Sequence, residues 1–181
     1  MENKYIFKLL TKTILIIGVP LFGGILCGAG LEWFMPSEFC FTYLTQEEIY
    51  RNNQELLIKA ILYGVVSFGL YSGYFIFTFG NIVGQALVLL YFNYGIEGIQ
   101  AGFLPHAGIE LISCIMSSIV PIFLWLLIFD TFIRKTELLR KKVVMRGMVI
   151  LLLCIITMIA LCYGAAYIES NITEMYWLEK L

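Results

Sequence analysis

Charged residues are scarce in this sequence. Asp, Glu, Lys and Arg make up 14% of its 181 residues, while hydrophobic residues make up 60%. A soluble globular domain carries roughly 25% charged residues, so this chain has too little charge to cover a water-facing surface. With a formal net charge of -1, it also lacks the basic excess of a nucleic-acid-binding protein. The composition therefore predicts an integral membrane protein without a nucleic-acid partner.

Residues that ligate metals or act as nucleophiles are also few. His106 is the only histidine, and none of the cysteines forms a C-x-x-C pair; they are Cys27, Cys40, Cys114, Cys154 and Cys162. This spacing is not that of a disulfide framework or a zinc site. The sequence also contains no P-loop, no G-x-S-x-G and no H-E-x-x-H. We therefore expect a protein that is not an enzyme and that carries neither a metal nor another cofactor.

Five stretches of the chain are apolar enough to cross a bilayer, for which a helix needs about 20 residues. They are 13–34, 56–79, 82–103, 106–129 and 148–168. Gly80-Asn81 is a turn dipeptide, which predicts a tight hairpin between the second and third spans. The predicted fold class is all-α: a polytopic bundle of about five transmembrane helices, forming a single integral membrane domain over residues 1–181.

Lysine and arginine cluster at two places in the chain. Lys4, Lys8 and Lys12 precede the first span, and the loop 131–147 contains Arg134, Lys135, Arg140, Lys141, Lys142 and Arg146. The positive-inside rule predicts that both clusters are cytoplasmic, and an odd number of spans then places the C-terminus outside. We interpret the basic loop either as a linker that contacts anionic lipid headgroups or as a docking site for a cytoplasmic protein.

Two local patterns predict how the helices begin and pack. Thr45 and Glu48 have the spacing of a capping box, which predicts the start of a helix before the second span. Glycine pairs separated by three residues favour close helix contacts in a membrane. Such pairs are Gly24/Gly28, Gly69/Gly73 and Gly98/Gly102.

Polar side chains recur at helical spacing in the third and fourth spans. The first polar stripe contains Asn93, Glu97 and Gln100, and the second contains His106, Glu110, Ser113 and Ser117. A charged group near the bilayer centre costs at least about 2.5 kcal/mol. We therefore expect the two stripes to face each other or to line a water-filled cavity.

His106 follows Pro105, which suits the first turn of a helix because that turn needs no amide donor. Glu110 lies one turn further along the same face, so the two side chains are close enough to interact. Three interpretations remain open at this point: a hydrogen-bonded brace between helices, an element that binds a partner or conducts a solute, and a catalytic or metal site completed by Glu97.

The run "YFNYGIEGIQAGFLPHAGIELIS", with its L-P-H-x-x-x-E core, resembles the signature of the stage II sporulation protein M family. The segment "GAAYIESNIT" near the end of the chain resembles the closing part of that family's pattern. The resemblance extends from the first span to the last. The matching residues are Asn93, Gly95, Leu104, Pro105, His106, Glu110 and Glu169.

This resemblance implies a multi-pass protein of the bacterial cytoplasmic membrane that acts as a scaffold during sporulation and anchors peptidoglycan-processing enzymes. It also implies an alternative, a membrane subunit that works with an ABC-type ATPase in export or immunity. An intramembrane hydrolase using His106, Glu110 and Glu97 is the third hypothesis. The expected partners are membrane lipid, other membrane or wall-associated proteins or an ABC ATPase, and a second copy of the chain.

Overall fold

The computed structural model describes residues 2–37, 44–133, 137–173 and 175–176. The helices are α1 (Glu2–Phe34), α2 (Gln46–Val66), α3 (Leu70–Gly102), α4 (Leu104–Ile133) and α5 (Glu137–Ile168). A π-helical turn, Glu169–Thr173, follows α5 directly. The all-α prediction is confirmed.

The helices of the described part include four that are long and apolar enough to cross a membrane: Tyr5–Phe34, Leu70–Gly102, Leu104–Phe132 and Lys141–Thr173. Their presence confirms the predicted helical membrane bundle. The helix α2 is not among the four, because polar and charged residues dominate its first half, from Gln46 to Glu55.

The predicted boundaries of the second and third spans differ from the observed helices. The chain turns at Ser67–Gly69, inside the predicted span 56–79, where Phe68 and Gly69 both have positive φ angles of 58° and 88°. By contrast, α3 continues without a break through Gly80-Asn81, the predicted turn. The dipeptide is helical because Gly80 packs against the backbone of Leu21 in α1, and helix-helix packing overrides the local turn preference.

Glycines bring α1 and α3 into close contact. A methyl group added at Gly24 or Gly28 would overlap the α3 backbone at Phe77 or Asn81, and one added at Gly84 would overlap Ile25 of α1. The predicted contact at Gly24/Gly28 is thus confirmed, and Gly80/Gly84 supplies its counterpart on α3. In contrast, Gly73 has no atom within 4 Å of such a methyl group, so the predicted Gly69/Gly73 face is wrong at Gly73.

Packing between the helices defines two ends of the bundle. At the first, which we call the histidine end, the start of α4 lies beside the π-helical turn through His106 and Thr173. At the second, the basic end, the N-terminal parts of α1 and α5 line a common groove through Ile6 and Arg146. The end of α4 also lies there, since Leu127 contacts Gly147.

The helices α2 and α3 form a hairpin that begins and finishes at the histidine end. Asn53 in α2 lies beside Glu110 in α4, and Gly64 lies beside Pro121, so α2 runs parallel to α4 towards the basic end. The hairpin turns at the level of Ile122 and Trp125. At 1.5 Å per residue, Trp125 lies about 12 Å short of the end of α4 at Ile133.

At the tip of this hairpin, backbone groups form hydrogen bonds within the protein, and apolar side chains cover the surface. Gly69 N donates to Gly64 O over 2.7 Å, and Trp125 Nε1 in α4 donates to Val65 O over 2.8 Å. The side chains of Val66 and Leu70 are 77% and 80% exposed. In hydrocarbon every backbone polar group needs an internal partner, so this arrangement suits a tip that lies in the membrane.

The helix α4 is the central element and is more buried than the other three candidate spans. Phe123 and Ile76 are fully buried in the apolar core, which draws on all five helices. Because α4 is enclosed on several sides, polar side chains on it need partners within the protein, either on α4 itself or on a neighbouring helix. That requirement determines the geometry of the candidate site.

Candidate functional site

The residues of the L-P-H-x-x-x-E motif open α4 at the histidine end. A single residue, Phe103, separates α3 from α4, and its carbonyl accepts a hydrogen bond from Ala107 N over 3.1 Å. Pro105 lies in the first turn of α4, as predicted, where its missing N–H leaves no carbonyl unpaired. This short connection fixes where His106 and Glu110 lie relative to the neighbouring elements.

Glu110 is bonded to α2. Its Oε1 accepts a hydrogen bond from Nδ2 of Asn53 over 2.5 Å. A carboxyl group that leaves water needs such a donor, because an unpaired buried polar group is costly. The bond therefore fixes α2 against α4 near the histidine end.

Asn53 is a site residue that our sequence analysis missed. It was part of a polar segment that we interpreted only as a helix start, yet the buried residues Ile49, Leu57 and Ala60 recur around it at helical spacing. A lone amide within an apolar stripe on a membrane helix predicts an interhelical hydrogen bond. That signal was available in the sequence.

His106 is bonded to the π-helical turn instead. Its Nδ1 and the hydroxyl Oγ1 of Thr173 are 3.0 Å apart, within hydrogen-bond distance. The ring of Phe103 meets the imidazole edge to face, with ring centres 5.8 Å apart. Thr173 is buried and was also missed, although it ends the "GAAYIESNIT" segment, in which Glu169 is half-buried.

A small cavity of about 30 Å³ lies beside Glu110. Its polar lining consists of Asn53, Glu110, Ser113 and the thiols of Cys114 and Cys162. A cavity of this size has room for a water molecule but not for an organic substrate. The arrangement therefore suits local solvation of the carboxyl group better than binding of a solute.

The serines of the second polar stripe bond to their own helix. Ser113 Oγ donates to Ile109 O over 3.1 Å, and Ser117 Oγ donates to Cys114 O over 2.8 Å. Both side chains are buried. Because each hydroxyl uses its donor on a backbone carbonyl of α4, these serines do not form the bonds between helices that His106 and Glu110 form.

The first polar stripe is placed in a different environment. Gly95 has non-helical φ and ψ angles of 64° and -158°, in a region that is essentially restricted to glycine. The helix is broken between Asn93 and Glu97. The regular helical spacing that predicted the stripe therefore does not continue across Gly95. Asn93, Glu97 and Gln100 have exposed side chains, whereas those of His106 and Glu110 are half-buried. The two stripes therefore do not form one enclosed polar interface.

The basic residues lie at the opposite end of the bundle from His106. Lys141, Lys142 and Arg146 have exposed side chains at the start of α5. Arg134 and Lys135, together with the side chain of Arg140, lie outside the described residues. Within the described ranges, no group of three His, Cys, Asp or Glu residues could hold a metal ion.

A comparison with protein families identifies the family of this chain. The family model described as Stage II sporulation protein M matches residues 41–174, which include α2 to α5, the π-helical turn, and the residues Asn53, His106, Glu110 and Thr173. No curated protein matches the chain, and no solved structure matches it. The match covers well over half of the sequence and confirms the resemblance seen in the L-P-H-x-x-x-E motif. This chain therefore belongs to the stage II sporulation protein M family.

Proposed function

We propose that this protein is a non-enzymatic scaffold of the bacterial cytoplasmic membrane that holds partner proteins at its histidine end. The observation that supports this most is that the polar side chains of the L-P-H-x-x-x-E motif form hydrogen bonds within the protein. Glu110 bonds to Asn53 and His106 to Thr173, so both polar groups tie α4 to neighbouring elements. A motif used in this way stiffens a platform rather than presenting groups to a substrate.

An exposed polar surface, which we call the scaffold platform, lies next to these hydrogen bonds. Glu47, Arg51 and Asn52 on the first turns of α2 are exposed, and the hydrogen bond from Asn53 to Glu110 holds that part of α2 in place. A preorganised surface loses less conformational entropy when a partner binds. The partner class that the family resemblance suggests is a peptidoglycan-processing enzyme.

The test is an affinity purification of the tagged full chain from membranes in mild detergent, followed by mass spectrometry and a binding assay with the purified partner. The proposal expects a peptidoglycan-processing enzyme to bind the wild type. The charge reversal Glu47→Lys/Arg51→Glu should then weaken binding at least tenfold. The matched control, Lys141→Glu/Lys142→Glu, changes the same number of charges at the basic end and should leave binding unchanged.

A second candidate function is supported by the exposed cations at the start of α5. Lys141, Lys142 and Arg146 form a basic surface that suits an ABC-type ATPase as partner. In the same experiment this candidate expects an ATPase to bind the wild type and to be lost in Lys141→Glu/Lys142→Glu. That pattern, or a wild type that binds no wall-processing enzyme, would contradict the scaffold proposal.

A further inference from the structure

A groove of about 470 Å³ runs between α1 and α5 at the basic end. Its walls are almost entirely apolar: Ile6, Phe7 and Leu10 on α1, and Met145, Val149 and Ile150 on α5. The one charged lining residue is Arg146. The groove is more than ten times larger than the cavity beside Glu110 and opens to the outside of the bundle.

The charges around the groove are arranged on one side of it. Lys142 lies one turn before Arg146 on α5, so the two side chains share a face of the helix, and both are exposed. Lys8 and Lys12 on α1 are exposed as well. However, each lies about 160° around α1 from the groove residue Leu10, at 3.6 residues per turn. Cations that face the groove therefore come from α5.

The charged and apolar residues of α5 that face the groove lie at different positions along the helix. Arg146 and Lys142 lie towards the start of α5, whereas Val149 and Ile150 lie further along the helix towards the apolar interior. On α5 the two cations therefore lie nearer the basic end than the apolar residues Val149 and Ile150. The same order, a charged head followed by hydrocarbon, describes an anionic phospholipid.

We propose that this groove is a specific site for one anionic phospholipid, with an acyl chain against Phe7, Leu10 and Val149 and the headgroup phosphate on Arg146 and Lys142. Arg suits this contact because its planar guanidinium can donate two parallel hydrogen bonds to the oxygens of one phosphate. Basic pockets between membrane helices are known to select anionic headgroups. The site lies at the opposite end of the bundle from the scaffold platform and does not depend on it.

The test measures lipid binding to the purified full chain in detergent by native mass spectrometry. Phosphatidylglycerol is compared with phosphatidylcholine of the same acyl chains. We expect phosphatidylglycerol to bind at least fivefold more tightly, since each basic residue near a headgroup contributes about a fivefold effect. Glycerol phosphate, which has the headgroup chemistry but no acyl chain, should not displace the bound lipid.

Variants separate this site from general attraction to a basic protein. Arg146→Ala/Lys142→Ala should abolish the preference for phosphatidylglycerol, while Lys8→Ala/Lys12→Ala, which removes the same charge from the far face of α1, should retain it. Val149→Trp, which fills the groove, should weaken binding of both lipids. Circular dichroism establishes that each variant is folded. Equal binding of the two lipids by the wild type, or equal loss of the preference in both double variants, would overturn the proposal.

Discussion

Nδ2 of Asn53 lies 2.5 Å from Oε1 of Glu110, and this hydrogen bond joins two helices through residues that are 57 positions apart in sequence. The bond connects the half-polar helix α2 to the central helix α4. It also partners the only carboxylate within the L-P-H-x-x-x-E motif. The stability of the histidine end should therefore depend on Asn53 as much as on the motif itself.

Replacement of Asn53 by leucine should lower the free energy of unfolding by about 1–3 kcal/mol, because it leaves the carboxyl group of Glu110 without its donor. The measurement is a denaturant titration of the purified protein in detergent micelles. Asn52→Leu is the matched control, since Asn52 is exposed and should tolerate the change. The double variant Asn53→Leu/Glu110→Leu should recover much of the loss; equal effects at positions 52 and 53 would contradict the structure.

The contact between α1 and α3 gives a second prediction. Gly28→Ala should destabilise the protein by about 1–3 kcal/mol through overpacking, since the new methyl group would overlap the Asn81 backbone. Gly18→Ala in the same helix should be neutral or slightly stabilising, because Gly18 has open space around it and alanine favours helix. Thermal unfolding of the two variants side by side distinguishes them. A loss of stability at Gly18 equal to that at Gly28 would argue against this packing.

The position of the hairpin tip predicts how cysteines react in intact cells, where the outer face is accessible, and in inside-out membrane vesicles, where the cytoplasmic face is accessible. In a background without the native cysteines, single variants Glu47→Cys, Phe68→Cys and Lys142→Cys place a thiol at the histidine end, the tip and the basic end. We expect a membrane-impermeant maleimide to label Glu47→Cys and Lys142→Cys from opposite sides, with Lys142→Cys on the cytoplasmic side. Phe68→Cys should resist labelling from both sides.

That resistance would show that α2 and α3 enter and leave the membrane on one side. Rapid labelling of Phe68→Cys from the side that labels Lys142→Cys would instead mean that α2 crosses completely. The same experiment determines the orientation of the chain. Labelling of Glu47→Cys and Lys142→Cys from one side would exclude the arrangement described above.

The start of α2 gives a prediction about pH. The backbone N–H and then the hydroxyl of Thr45 donate to Glu48, and these bonds hold the pKa of Glu48 below its ordinary value of 4.5. Because folding lowers this pKa, the contribution of Glu48 is complete above about pH 4.5 and is lost as the pH falls through the lower, folded value.

We therefore expect the amide hydrogens of the first turn of α2 to lose protection from exchange below about pH 4.5, after correction for the intrinsic exchange rate. Glu48→Gln removes the titrating group and should abolish this pH dependence. Glu47→Gln leaves the Thr45–Glu48 capping box intact and should retain it. A pH dependence that persists in Glu48→Gln would assign the effect to another group.

Much of the fold could be predicted from the sequence because membrane insertion depends on composition over long segments. The apolar runs around α1, α4 and α5 predicted those helices. The capping box at Thr45 and Glu48 was confirmed, because it rests on residues within a single turn. The boundaries of α2 and α3 were wrong because glycine at position 80 favours a turn locally, whereas packing against Leu21 keeps it helical.

The candidate site could be predicted only in part. Pro105, His106 and Glu110 stood out because they are polar or helix-breaking residues within a fairly specific pattern. Their partners Asn53 and Thr173 lie 57 and 67 residues away along the chain. No periodicity within one helix identifies such pairs. The first polar stripe was predicted from a continuous helix, and the break at Gly95 removed the basis for that prediction.

The sequence by itself determined that this chain is an all-helical membrane protein of the stage II sporulation protein M family, because apolar composition and short motifs are properties of the linear chain. Only the tertiary structure decided that α2 and α3 form a hairpin with both ends at the histidine end. It also decided that Glu110 bonds to Asn53 and His106 to Thr173. Interhelical hydrogen bonds depend on the register and direction of neighbouring helices. Close packing at glycines and the need of buried polar groups for partners together determine both.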